Sequence, residues 1–503
     1  MVVFCKSKFS EFKQCPKASW LHEHKIDVYN QNASVEAYHA YVGTGKDVYN
    51  LAKGLFGVYV EVPAPSPDGD GLESAAELTR KYIAEGQTVI CGAAFVYDGF
   101  YCAVDILKKT QNGYSVYAVT SGTISDKYDD IIDMCYRKYI LDSLGIAVDG
   151  VYVVTINDEY VLDGEIDIHK LFNITDVSAL VKKWGGRTER DLLRAKETLF
   201  SDDEPNTDLS HPCAHSHKCG YWNYCGGQLS SPSSVDLYHM PTASAKVPHG
   251  KTADCSSGVT DGDTRFNGKV KRRLELALDE SGTYVNRKGI NAFLKSLSFP
   301  LYFIDFEVVK PPVPLYSGTR PFQMIPVQYS LHALEAEDGE IKHLEFLGRP
   351  ESDPRREFAE RLVKTIPEGA CLLAYNKKFE CTILNELADI FPDLAPQLTK
   401  INNNIKDLLE PFKEGHYYKR EMGGSFSIRS VLPAIFPDDP ELDYGRLEGV
   451  HTGREAMVLF STELKRMPDT ERKIAERNLL KHCELDTFVL VKIWQELVRA
   501  ARA

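Results

Sequence analysis

The chain has 503 residues, more than one hydrophobic core usually supports, so we expect two or three folded units. Its formal net charge of −13 argues against a protein that coats nucleic acid by bulk electrostatics, because Lys and Arg drive phosphate binding. The charge does not argue against an enzyme whose acidic residues hold metal ions.

The distribution of apolar residues and cysteines indicates a cytoplasmic protein. No run approaches the roughly 18 apolar residues that span a membrane, and the N-terminus lacks the apolar core of a signal peptide. Most of the 12 cysteines lie singly within apolar stretches, as Cys91, Cys102 and Cys371 do. We therefore predict a cytoplasmic location, no membrane association and mostly reduced thiols.

The first regular pattern along the chain is a hairpin. Residues 89–107 indicate a strand, a turn at Asp98-Gly99 and a second strand that carries Asp105 near its end. The next strand, around residues 117–121, offers no carboxylate. A single acid makes a poor divalent-metal site, because Mg²⁺ and Ca²⁺ take several oxygen ligands.

A cluster of cysteines follows. Cys213, Cys219 and Cys225 have five residues between each neighbouring pair, a regular spacing that suggests metal ligation, and Cys15 supplies a fourth thiolate if the N-terminus folds back. One distant cysteine and three clustered ones, on either side of a nuclease-like domain, resemble the iron–sulfur RecB-like nucleases, which implies a [4Fe–4S] cluster. The closer spacing usual there is absent, so zinc or no metal stays open. Histidines that could replace a cysteine are His211, His215 and His217.

The segment between those cysteines resembles a RecB-like nuclease domain that has lost most of its chemistry. Asp105 matches one acid of that family. That family has further acids, a Lys and a Gln at four other positions. This chain has Gly92, Ala118, Thr120 and Arg137 there. We therefore expect residues 1–228 to form a degenerate, restriction-endonuclease-type fold that is catalytically inactive and binds nucleic acid or braces the cluster.

A linker separates the two halves. Residues 226–268 are rich in Ser, Gly, Thr, Pro and Asp and show no sustained periodicity, and helical patterning resumes at Lys269. The basic run there is a solvated helix face or a phosphate contact. We assign residues 229–295 to the linker and connecting helices, and residues 296–503 to a second α/β domain.

The most informative strand opens that second domain. Leu301-Tyr302-Phe303-Ile304 are apolar and run into Asp305 and Glu307, which share one face because strand side chains alternate. Two buried carboxylates side by side need cations, so the pair indicates half of a divalent-metal site. The alternative is an edge strand with solvated acids.

Three later segments offer partners for this pair. Residues 372–380 indicate a short strand, a turn at Asn376 and a helix with Glu380 in its first turn. Residues 425–433 indicate a turn and a short helix. The stretch from about 471 to 499 has an apolar stripe with helical spacing, and His482 and Asp486 lie one turn apart on it.

An Asp-x-Glu strand, an Asn-x-x-Phe-Glu helix start and a His-x-x-x-Asp helix, in that order, resemble the DnaQ-like exonucleases, which are ribonuclease H-like enzymes. The resemblance implies that four acids hold two Mg²⁺ or Mn²⁺ ions and that His482 orients the attacking water. The four acids are Asp305, Glu307, Glu380 and Asp486. The chain departs from the family at Glu380, where Asp is more common, and at His482, whose spacing is typical of the subgroup that uses Tyr. The alternative for His482 is packing beside Trp494.

Cations and aromatic residues near these segments suggest contacts with a single strand. Lys377, Lys378 and Arg429 could steer phosphates inward. Aromatic faces can stack on bases without reading sequence, and ordinary surface and core roles fit the same residues. The candidates for stacking are Tyr417, Tyr418 and Phe426.

The whole pattern, with residues 300–307 and 326–332 in its second half, resembles a prokaryotic family labelled only as a domain of unknown function. We expect a metal-dependent nuclease, a 3′→5′ exonuclease on single-stranded DNA or RNA, in repair, recombination or defence. Polarity and strand preference come from the resemblance alone. The competing hypotheses are a non-catalytic nucleic-acid-binding scaffold, in which both nuclease folds have decayed, and an iron–sulfur redox sensor.

Overall fold

The computed structural model describes residues 4–29, 45–66, 71–123, 128–206, 219–221, 224–225 and 265–502. It is a mixed α/β protein that divides into two compact units, as expected for this length. Unit 1 comprises the described part of Met1–Ala243 together with Pro311–Gln323, and unit 2 comprises the described part of Ser244–Lys310 and Met324–Ala503. None of the described helices is long and apolar enough to cross a membrane.

The division differs in detail from the predicted boundaries. Residues 265–295, assigned above to a linker and connecting helices, belong to unit 2 where they are described. Pro311–Gln323 belong to unit 1 although they lie within the predicted second domain. In unit 1, the amide of Gly318 donates to the carbonyl of Leu162, and the amide of Leu162 donates to the carbonyl of Thr319. Most of the Ser- and Gly-rich stretch lies outside the described residues.

Unit 1 is built on a six-stranded sheet in the order β1-β2-β3-β4-β5-β6, with parallel pairing of β1 with β2 and of β4 with β5. The strands are Val60–Glu61, Val89–Tyr97, Phe100–Lys109, Tyr114–Val119, Val148–Ile156 and Phe172–Asp176. The helices α1 to α6 are Lys6–Gln14, Pro16–His24, Leu72–Ala84, Tyr128–Ser143, Ile168–Leu171 and Ser178–Phe200.

The predicted hairpin of unit 1 is confirmed. Strands β2 and β3 pair antiparallel around a turn in which Asp98 and Gly99 both have positive φ angles, 47° and 78°. Such a two-residue turn matches the right-handed twist of the flanking strands. The hairpin therefore brings Asp105 to the middle of the sheet, opposite β4.

Unit 2 contains a five-stranded sheet in the order β10-β9-β8-β11-β12, in which β9 alone runs antiparallel to its neighbours. The strands β7 to β13 are Thr283–Val285, Leu301–Val309, Ile325–Leu334, Ile341–Leu347, Cys371–Ala374, Ile405–Asp407 and Tyr417–Lys419. The helices α7 to α15 are Gly268–Leu276, Arg287–Leu294, Arg355–Thr365, Lys378–Ile390, Ala395–Asn403, Glu410–Lys413, Ile428–Ile435, Gly453–Val458 and Asp469–Arg502.

Strand β8 is central in this sheet and separates two hydrophobic cores. Leu301 and Phe303 pack into the core that includes Trp494 of α15, whereas Tyr302 and Ile304 pack into the core on the opposite face. This alternation explains the apolar run in the sequence, because both faces of a central strand are covered. It also places Asp305 and Glu307 on the face that carries α15.

Candidate metal centre

Side chains from β8, α10 and α15 of unit 2 lie near the end of β8. Helix α15 brings His482 and Asp486, which are one turn apart, against Glu307. The Nε2 atom of His482 lies 3.7 Å from Glu307 Oε1 and 3.6 Å from Asp486 Oδ2. One donor atom from each of these three residues lies within 4.8 Å of the other two, a spacing at which they could ligate a common ion.

Glu380 lies on α10, the helix that follows the neighbouring strand β11. Strand β11 pairs parallel with β8, so the helix that follows it begins at the same edge of the sheet. The chain turns at Asn376, whose φ angle is 65° and whose amide donates to Asp407 Oδ1 at 2.8 Å. Glu380 then falls in the first turn of α10 and is buried, and its Oε2 has no hydrogen-bond partner.

The four carboxylates influence one another electrostatically. The pKa of Asp305 is raised well above its usual value, first by burial and then by the charges of Asp486, Glu380 and Glu307. Burial and Asp486 raise the pKa of Glu307 to about 8, and burial and Asp407 raise that of Glu380 to about 8. The charges of the other three acids of the predicted quartet therefore all act on Asp305, whereas the compact cluster of donor atoms found among the described residues contains only Glu307, His482 and Asp486.

The side chains present fit divalent metal ions. Buried carboxylates that share a site are stable as anions only with cations between them. Asp305 and Glu380 form no ion pair within the described part of the chain, and Glu307 and Asp486 pair only with His482 there. The unpartnered Oε2 of Glu380 is an oxygen donor of the kind that Mg²⁺ and Mn²⁺ prefer.

A polar chain across the sheet fixes the rotation of α15. Thr487, next to Asp486, has its hydroxyl 2.6 Å from Ser330 Oγ and 2.8 Å from His332 Nδ1 on β9. His343 Nε2 on β10 lies 2.9 Å from the same Ser330 hydroxyl. Burial and His343 lower the pKa of His332 to about 4, so its imidazole is neutral and can take part in this chain.

One residue of the site was not found from the sequence. Tyr444, in a 3₁₀ turn at Tyr444–Arg446, donates its hydroxyl to Asp486 Oδ1 at 2.6 Å. Its ring contacts the ring of His482 edge-on, with 5.7 Å between the ring centroids. No periodic pattern surrounds it, and only the turn-forming composition of residues 437–445 marks the segment.

The proposed strand-binding residues have mixed outcomes. Lys378 and Arg429 are exposed, and Lys378 lies two positions before Glu380. The ammonium of Lys377 donates to the carbonyl of Ile405 at 3.0 Å, which gives it a structural role. The suggestion of base stacking is wrong for all three aromatic residues, because they are buried in the apolar core of unit 2. These are Tyr417, Tyr418 and Phe426.

In unit 1 the cysteine segments meet. Cys15, Cys219 and Cys225 pack against one apolar cluster that contains Trp20 and Tyr221. The N-terminus therefore folds back onto the later cysteines, as expected. Cys213 lies outside the described residues, as do the three histidines proposed as substitutes.

Polar contacts reinforce this closure beside the cysteines. Glu204 accepts from Lys25 at 2.9 Å and from the hydroxyl of Tyr224 at 2.8 Å, and it pairs with Lys17 at 2.7 Å. Lys17 and Lys25 lie on and directly after α2, Glu204 follows α6, and Tyr224 lies in the cysteine segment. Helix α2 and the cysteine segment are therefore held together by charge as well as by apolar packing.

Asp105, the acid that matches the RecB-like pattern, pairs with the guanidinium of Arg137. Asp105 Oδ2 accepts from Arg137 at 3.1 Å and from the amide of Val119 at 2.9 Å. Arg137 also pairs with Asp133 Oδ2 at 3.0 Å, and Lys6 contacts the same oxygen at 2.9 Å. A side-chain cation thus neutralises the acids at this position in the sheet.

Comparison with known proteins identifies one region. Residues 302–427 match the model of a family described as a domain of unknown function, DUF2779. The match includes Asp305, Glu307 and Glu380 and ends before α15. No curated protein matches the chain.

Proposed function

We propose that the chain is a metal-dependent nuclease whose unit 2 hydrolyses phosphodiester bonds of single-stranded DNA or RNA. The observation that carries this proposal is the placement of four carboxylates from β8, α10 and α15 near the end of β8: Glu307 and Asp486 form a compact cluster with His482, and the charges of Glu307, Glu380 and Asp486 all act on Asp305. The strand order, with β8 central and β9 alone antiparallel, supports a ribonuclease H-like fold of the DnaQ type. The 3′→5′ polarity rests on that resemblance.

The acids would hold the metal ions in this proposal. Asp305, Glu307, Glu380 and Asp486 supply the oxygen ligands that Mg²⁺ or Mn²⁺ require. A pair of such ions, when bound, lowers the pKa of a water and stabilises the leaving oxygen of a phosphodiester. The protein's own part is to hold the donors rigidly and to keep this end of the sheet largely closed to solvent.

His482 would take the proton of the attacking water. Its Nε2 atom already faces Glu307 and Asp486, and its Nδ1 is buried without a hydrogen-bond partner. A neutral imidazole is a suitable general base near neutral pH. Lys378 and Arg429 remain the candidates for phosphate steering, because both are exposed.

Unit 1 would support this activity rather than catalyse it. The clustering of Cys15, Cys219 and Cys225 supports a [4Fe–4S] cluster with Cys213 as the fourth ligand, and zinc remains the alternative. The Arg137–Asp105 pair supports the loss of metal chemistry in the RecB-like fold. We propose a role in the cytoplasm, in repair, recombination or defence.

The test is an end-labelled oligonucleotide assay with Mg²⁺, Mn²⁺ or EDTA. The substitution Asp305→Asn should reduce degradation at least about 100-fold, because it removes an oxygen donor from the metal centre. Thermal stability without metal should not fall, because the amide relieves charge repulsion. The matched control is Asp389→Asn, an exposed acid on α10. Undiminished cleavage by the Asp305 variant, or full cleavage in EDTA, would contradict the proposal.

A further inference from the structure

The backbone around Tyr444 is built to hold its side chain in one place. Asp443 caps the 3₁₀ turn by accepting from the amide of Gly445 at 2.9 Å. Further along, Nδ1 of His451 lies 3.0 Å from the carbonyl of Tyr444. Two local contacts thus fix a turn that has no regular helix or strand of its own, and the phenol ring is half-buried.

The same segment continues to the other outer ligand. At Gly453, the first residue of α14, an added Cβ would lie only 3.2 Å from Glu307 Oε1. The absence of a side chain there lets the backbone approach the carboxylate closely. Residues 443–453 therefore contact Asp486 at one end and Glu307 at the other.

The hydrogen bond from Tyr444 divides the two oxygens of Asp486 between different partners. Oδ1 accepts from the phenol at 2.6 Å, whereas Oδ2 lies 3.6 Å from His482 Nε2. A carboxylate held in this way presents one oxygen to the centre and cannot rotate freely. The edge contact between the rings of Tyr444 and His482 restrains the imidazole at the same time.

We propose that Tyr444 is a positioning residue of the metal centre, an inference that rests on the proposed function. It holds Asp486 so that Oδ2 alone is available for a metal ion. A phenol suits this task because it donates a hydrogen bond without adding a charge that would compete with the metal. Groups that hydrogen-bond to ligating carboxylates typically affect metal affinity by about 10–100-fold.

The experiment compares the full-length wild type with Tyr444→Phe, which removes only the hydroxyl. Calorimetric titration with Mn²⁺ should show affinity weakened by about 10-fold or more, with an unchanged circular dichroism spectrum. In the oligonucleotide assay, kcat should fall at limiting Mn²⁺ and recover largely at saturating Mn²⁺, with KM for the oligonucleotide unchanged. Tyr284→Phe on β7 is the matched control, a half-buried tyrosine of unit 2.

The outcomes separate this inference from the proposed function. Equal Mn²⁺ affinity of the two proteins overturns the positioning role, and so does a loss of kcat that saturating Mn²⁺ does not restore. Weaker Mn²⁺ binding by the variant supports the role even if neither protein cleaves nucleic acid, in which case only the proposed function fails. A wild type that binds no Mn²⁺ overturns both.

Discussion

At the scale of single residues, the two units deal with buried carboxylates in opposite ways. In unit 1, Arg137 lies between Asp105 and Asp133 and supplies a permanent positive charge. In unit 2, Asp305 and Glu380 have no such partner in the described part of the chain, and burial raises the pKa of each. In the first arrangement a side chain supplies the positive charge, whereas in the second the described residues supply none.

Replacing Arg137 should therefore destabilise unit 1 without affecting catalysis. Arg137→Met leaves Asp133 deeply buried with only Lys6 as its partner, and breaking a buried ion pair in this way costs about 3 kcal/mol. Chemical denaturation of the full-length protein would measure the loss. Adding Asp105→Asn should recover part of it.

Nuclease activity tests separately whether unit 1 takes part in catalysis. The single Asp105→Ala variant should keep full nuclease activity, because we place the reaction in unit 2. A folded Asp105→Ala protein that has lost activity would contradict the assignment of unit 1 as inactive.

The acids of the candidate metal centre were predictable because each lies in, or directly after, a strong local sequence pattern. Asp305 and Glu307 end an apolar strand, and Asp486 lies on a clear amphipathic helix. Tyr444 was not predictable, because a three-residue turn has no periodicity and its partner is 42 positions away. Likewise, Arg137 was identified as a departure from the family, but its contact with Asp105 depends on how α4 crosses β3.

At the scale of elements, long patterns were predicted well. The strand expected from Leu301 to Glu307 is confirmed within Leu301–Val309. The long last helix is confirmed as Asp469–Arg502. For Tyr417 and Tyr418 the sequence left base stacking and a core role both open, because a three-residue strand does not reveal which face is covered; both side chains are buried.

One strand also carries a backbone feature that disfavours any side chain at Gly92, where the RecB-like resemblance predicts an acid. Gly92 on β2 has a φ angle of 69°, and an added Cβ would lie 2.7 Å from the carbonyl oxygen of Val62. A side chain at this position, including an acidic one, requires the strand to move. The absence of a carboxylate here is therefore built into the backbone, and a single substitution cannot restore it.

We expect Gly92→Ala to lower the free energy of unfolding by about 1–3 kcal/mol, because it combines a strained φ angle with a steric contact. Urea denaturation followed by circular dichroism would measure the change. Gly99→Ala is a useful comparison, since it has a similar φ angle but open space around its Cβ position. Similar losses in both variants would show that the contact with Val62 is unimportant.

At the scale of the whole molecule, the sequence indicated the number of units but not the path of the chain between them. Composition and length cannot show that Pro311–Gln323, between two strands of unit 2, belong to unit 1. That membership depends on contacts with residues such as Leu162, about 150 positions earlier in the chain. The meeting of Cys15 with Cys219 and Cys225, in contrast, was expected from the RecB-like pattern.

The cysteine cluster yields a test on the intact protein. Anaerobically purified wild type should be brown, with absorption at about 400 nm and bound iron. Cys15→Ser and Cys225→Ser should each remove the colour, because each takes away one thiolate ligand. Cys381→Ser on α10 should keep it, since that residue is in unit 2. A colourless wild type with stoichiometric zinc would favour the zinc alternative.

Pro311–Gln323 belong to unit 1 but lie between two segments of unit 2 in the chain, and this arrangement limits how the gene can recombine. A recombination event that exchanged only the first 243 codons would deliver a domain lacking Pro311–Gln323, which are encoded downstream. A replacement for residues 1–243 would have to pack against the existing Pro311–Gln323 segment, or that segment would have to be replaced together with it. Selection should therefore keep the two halves together as one gene, with mutations in that segment compensated by mutations near Leu162.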